Sequence, residues 1–147
     1  MESRLLGENA AERTFVLVLD EGEEAFGAIQ KFCTSQRISA ASITAIGAFA
    51  SAKVGWFDFQ SKTYHEIPIA EQCEVLSLIG DVAAGDDGRS SPHLHAVLGL
   101  QDGATKGGHF LNGTVHPTLE VIIRETPAHL RRRLRKNLGI ALIDLGD

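Results

Sequence analysis

The chain predicts an α+β fold, a single domain built on a mostly antiparallel sheet of about eight strands with two helices. Three observations predict it. β-rich runs recur along most of the sequence, separated by short turn signals rich in Gly, Asp and Ser. One early segment, Phe26, Ile29, Phe32 and Cys33, repeats apolar residues at helical spacing. A second, late segment opens on Thr126-Pro127, an N-cap followed by proline at the first helical position, and stops at Gly139.

Taken in order, residues 1–12 are polar without period and read as a flexible N-terminal arm, leaving 13–147 as the domain. Thr14 to Leu19 is a strand ending in the turn Asp20-Glu21-Gly22. The first helix follows, with Glu23 and Glu24 in its first turn, where the dipole favours negative charge. Ala41 to Phe49 is a small, apolar strand, Lys53 to Phe59 another, and Thr63 to Ile69 a third with alternation. Glu74 to Val82 is a long strand, and the loop Gly85 to Pro92 leads into Pro92-His93-Leu94-His95-Ala96-Val97-Leu98-Gly99. Thr118 to Glu125 is a further strand. Leu130 and Leu134 form the packed side of the second helix, and Gly139 to Leu145 closes the chain as a strand.

A chain of 147 residues buries about 70% of its unfolded surface and holds a core without covalent staples. Cys33 and Cys73 lie in apolar patterns without metal or redox spacing, so they read as buried thiols of a reducing compartment. No apolar run approaches membrane-spanning length and no secretory pattern follows Met1, so the expected location is the cytosol. The net charge of −5 argues against a broad nucleic-acid surface. The exception is Arg131, Arg132, Arg133, Arg135 and Lys136. Outside it, nine basic residues face nineteen acidic ones. Any DNA contact would rest on these five residues, and most charge runs of this kind are a solvated helix end.

The chemistry concentrates in His93, His95 and His109. On a strand, His93 and His95 share a face about 7 Å apart. Asp102-Gly103 signals a reversal that returns His109 alongside them. A register with His109 opposite His95 or Val97 puts all three on one side. A plain two-residue loop would put it on the wrong face, which a bulge at Gly107-Gly108 would correct. Three imidazoles with an open fourth position suit zinc, and also nickel, copper or iron. Glu120 interrupts the apolar side of its strand and is a candidate for orienting a histidine. Glu120 and Glu125 are candidates by position for a general base.

The order of Ala45-Ile46-Gly47-Ala48-Phe49, Glu74 to Gly80, Pro92-His93-Leu94-His95, Gly107-Gly108-His109-Phe110, Thr118-Leu119-Glu120-Val121 and Leu138 to Leu142 resembles the plants-and-prokaryotes-conserved (PPC) domain. The resemblance runs from about Arg13 to Leu145 across nearly the whole chain. It implies a homotrimer and a divalent metal site, zinc in some prokaryotic members, at His93, His95 and His109. Plant members add an AT-hook that grips A·T-rich DNA. This chain has no Arg-Gly-Arg-Pro core, and of the plant Gly-Arg-Phe-Glu-Ile-Leu motif it keeps only Glu74-Val75-Leu76.

Three readings follow from this: a trimeric metal-holding binding or regulatory module with a small-molecule or protein partner, a metal-dependent enzyme acting on a small molecule, and a DNA-binding protein using the basic segment. A cupin shares the His-x-His and later histidine, but expects a glutamate three to five residues on, where this chain has Leu98, Gly99 and Leu100.

Overall fold

Alternation of buried and exposed side chains runs through most of the strands and decides which residues reach the core and which the outer surface. The computed structural model describes residues 1–9, 12–126 and 129–146. In chain order these form β1 (Glu2–Asn9), β2 (Glu12–Asp20), α1 (Ala25–Ser35), β3 (Ala40–Asp58), β4 (Thr63–Ile69), β5 (Cys73–Ala84), β6 (Ser90–Gly99), β7 (Thr105–Glu125), β8 (Arg131–Arg135) and β9 (Ile140–Asp144). The sheet is mixed, with every pairing antiparallel except β5 with β8.

Two very long strands organise the sheet. β3 pairs with β5 and β7, β5 with β6, and β6 with β7, so the ladder runs in a closed circuit. β2 and β1 extend it beyond β7, and β4 pairs with the second half of β3. Register shifts in β3 between Ala45 and Gly47 and again near Phe49 and Lys53 let it bend from one set of partners to the other. The inner face carries Ile43, Phe49, Val54, Leu78, Leu94, Leu98, Phe110, Leu119, Val121 and Ile123, all nearly or fully buried. Against it packs α1, through Ala25, Ile29, Phe32 and Cys33.

Glu24 starts α1 as its N-cap, accepting from the backbone N–H of Phe26 at 2.9 Å and of Gly27 at 2.7 Å. Glu23 lies before the helix and accepts instead from the Met1 ammonium at 2.8 Å.

Three expectations are corrected. First, the N-terminal arm is in fact a strand. Every side chain of β1 is exposed, so it has no hydrophobic period to read, and its order comes from pairing with β2, Glu2 opposite Val18 through Asn9 opposite Glu12. Second, the strands expected at 41–49 and 53–59 are one, β3, because bulges rather than a turn absorb the bend. Likewise the return strand of the histidine hairpin and the 118–125 strand are one, β7. Third, the described residues contain nine strands and one helix. Pro127 lies outside the described residues, but Arg131–Arg135 is a strand, not a helix. Two leucines one turn apart were a thin helical signal. The hairpin gives more: Gly139 takes φ +78° in the turn, and Asp144 accepts from Arg133 at 3.0 Å and Arg135 at 3.2 Å across the pair. Leu134 is exposed, and the buried residue of β8 is Arg132.

Candidate metal centre

β6 alternates cleanly, with Pro92, Leu94, Ala96 and Leu98 buried and His93, His95 and Val97 on the outer face. The loop that follows is built on Gln101-Asp102-Gly103. Gly103 N–H donates to Leu100 O, Leu100 N–H to Ala104 O, and Gly103 sits at φ +82°. This three-residue loop sets the register directly and places His109 opposite His95. No bulge at Gly107-Gly108 is needed. Those glycines serve close approach instead: a Cβ on Gly108 would lie 2.6 Å from Gly55 O, and one on Gly107 2.9 Å from Ala96 O.

The three imidazoles converge. Their ring centroids lie 5.0 to 5.5 Å apart, and one nitrogen from each falls within 4.8 Å of the others. His93 Nε2 and His95 Nε2 are 3.3 Å apart. A tetrahedral ion with bonds of about 2.0–2.1 Å separates its ligand nitrogens by about 3.3 Å. The His109 ring makes no hydrogen bond among the described residues, and its Nδ1 is buried and unpartnered, so the ring is uncommitted. Burial, then the neighbouring His93 and His95, push His109 down to about 4. Burial also lowers His93, with the positive charge of Arg132 the next cause. Both rings are therefore neutral near pH 7, as metal coordination requires. The residues present fit a divalent ion, and the group could hold one.

Three neighbours escaped sequence reading. Tyr64 of β4 stacks on His109, centroids 4.6 Å apart, crossing Gly55, where a Cβ would meet the Tyr64 ring at 2.8 Å. Asp81 stands opposite His93 on β5. Arg132 reaches from β8 to donate from Nη2 to Asp81 Oδ1, with its side chain 6% exposed. Strand alternation groups Arg132 with Leu134, which is exposed, so only the contact with Asp81 marks Arg132 out.

The other candidates lie elsewhere. Glu120 is exposed in the far half of β7, opposite Val18 and Ile46, with β3 and β5 between it and β6. The structure does not bring it to the histidines within this chain. Glu125 is bound bidentately by Arg13, at 2.6 and 2.9 Å. Of the basic five, Arg132 is buried in the site, Arg133 and Arg135 share Asp144, and Arg131 and Lys136 are exposed. His116 meets Glu21 and His129 meets Ser39, both away from the cluster.

The model of the Plants and Prokaryotes Conserved (PCC) domain matches residues 6–127. The chain belongs to this family. A PPC protein of Pyrococcus horikoshii is 34% identical over 92% of this chain and 93% of that one, with a TM-score of 0.84. A metal-containing protein of Archaeoglobus fulgidus is 32% identical, covering 96% of this chain and 95% of that one, with a TM-score of 0.82. A protein of Bacteroides thetaiotaomicron, named as a candidate DNA-binding protein, is 22% identical over 94% of each chain at a TM-score of 0.84, a likeness of fold alone. No curated protein matches the chain. The family model's match stops at residue 127, short of Arg132 and the β8–β9 hairpin, while the Archaeoglobus relative covers 96% of this chain. No helix among the described residues is long and apolar enough to cross a membrane.

Proposed function

We propose that this PPC-family chain is a homotrimeric binding or regulatory subunit that holds one divalent metal ion, zinc, on His93, His95 and His109. One coordination position is left for a small molecule. The observation that carries this reading is the 3.3 Å separation of the His93 and His95 nitrogens with a third, uncommitted imidazole beside them. The metal-containing Archaeoglobus relative supports it. A bound ion of this kind supplies Lewis acidity at its open position. The three histidines would hold it; Tyr64 stacks on His109, and the Asp81–Arg132 pair lies beside His93 without ligating.

Support for assembly comes from the outer face. The cross-strand row Val16, Ile122, Thr44, Ile79, His95, His109 runs over six neighbouring strand positions, and Ile46, Ile79, Val97 and Ile122 stand exposed on that face. Such an apolar stretch suits burial against further copies.

Elemental analysis of the purified protein beside His93→Ala tests the metal. The expected result is stoichiometric zinc in the first and background metal in the second, at unchanged circular dichroism. Equal metal in both overturns the assignment. Light scattering at three chain masses supports the trimer; one chain mass overturns it.

A further inference from the structure

We propose that Arg132 adds an anion-binding arm to the three-histidine centre, so that the small molecule taken there carries a carboxylate. This inference rests on the metal reading above.

Arg132 is a buried guanidinium only half used. Its Nη2 donates to Asp81 Oδ1, while its Nε is buried and has no partner among the described residues. A guanidinium is a planar fork suited to gripping a carboxylate through two parallel N–H bonds. An unmet buried N–H is costly, so the fold tolerates here a donor that a ligand oxygen would satisfy. The charge is close to the rings: Arg132 donates to Asp81, which stands directly opposite His93 across the β5–β6 ladder.

Charge balance points the same way. A divalent ion on three neutral imidazoles, beside an Arg132–Asp81 pair that cancels itself, leaves two uncompensated positive charges in a half-buried site. Such a site favours an anion, and a carboxylate oxygen on the ion with the guanidinium nearby neutralises charge where water is scarce. Beside the rings a shallow depression of about 520 Å³ is lined by His93, His95 and Asp81, and Arg132 stands behind it, reaching it through Asp81.

The test uses full-length protein loaded with Co²⁺, whose visible bands report its ligands. Acetate and acetamide, alike in shape and different in charge, are titrated in turn, with imidazole as a neutral metal ligand. The expected result is acetate binding at least about tenfold tighter than acetamide. Arg132→Gln should weaken acetate binding about tenfold while keeping its Co²⁺ content and imidazole response. Asp81→Asn keeps the guanidinium and removes its competitor, so it should bind acetate as well as or better than the natural chain, and it serves if Arg132→Gln does not fold. Equal affinity for acetate and acetamide, unchanged acetate binding in Arg132→Gln, or loss of acetate binding in Asp81→Asn each overturns the carboxylate assignment alone. Failure of the natural chain to take up Co²⁺ overturns the metal reading and this inference with it.

Discussion

Gly80 lies directly beneath the carbonyl of His93: a Cβ built on it would sit 1.9 Å from that oxygen and 2.9 Å from the carbonyl carbon. The missing side chain is what lets β6 settle onto β5 with His93 opposite Asp81. Gly80→Ala must push the histidine strand away. A stability loss of about 2–3 kcal/mol is expected from such overpacking, read by urea denaturation, together with weaker metal retention. An alanine variant as stable as the natural chain would show that the close approach is not needed.

Acid should destabilise the metal-free protein over a defined window. His109 is held down at about 4 in the fold, and His93 is also lowered, against an ordinary value of 6.5. The unfolded chain therefore binds more protons between these values. The stability contributed by keeping these rings neutral is complete above pH 6.5 and is lost as the pH falls towards 4. Melting temperatures of chelated protein across pH 4–7 should decline with acid, and His109→Gln should flatten part of the decline. A slope untouched by that substitution would point to other groups.

Arg132 and Asp81 form a mostly buried pair, 6% and 34% exposed at their side chains. Removing the cation strands a carboxylate beside His93. Arg132→Met is expected to cost about 2–3 kcal/mol, less than a fully buried pair because Asp81 retains some solvent. Arg131→Met, on the exposed side of the same strand, should stay within about 0.5 kcal/mol. Chemical denaturation of the two variants side by side measures the contrast.

DNA binding through the basic segment has a ceiling set by the fold. Arg131, Arg133, Arg135 and Lys136 are exposed, and two of them already share Asp144. With at most these four phosphate contacts per chain, log K against log salt should fall no more steeply than about −3.6 per chain. Gel shifts or anisotropy from 50 to 200 mM salt would read the slope. A steeper one would require a surface other than this hairpin.

The sequence carried the site better than it carried the frame. Period-two alternation puts His93 and His95 on one face, and the Asp-Gly turn returns His109 beside them but leaves its face open, because both signals are local and neither sets the register. The register then came from the loop itself, with Gly103 at positive φ, and not from Gly107-Gly108. What stayed hidden depends on distant partners. β1 has no buried side to print a pattern, β3 bends through bulges without a turn residue, and Arg132 is buried only because Asp81 waits fifty-one positions earlier. A run of arginines reads as solvated charge until its partner is known.

His95 and His109 face one another across the β6–β7 ladder, the last joint that closes the sheet into a hoop. An ion held by both, as proposed above, would tie that joint a second time, beside the five paired positions that already close it. Emptying the centre would then loosen one seam locally and leave the hoop shut, so that the strands carry the shape and the ion only tightens it.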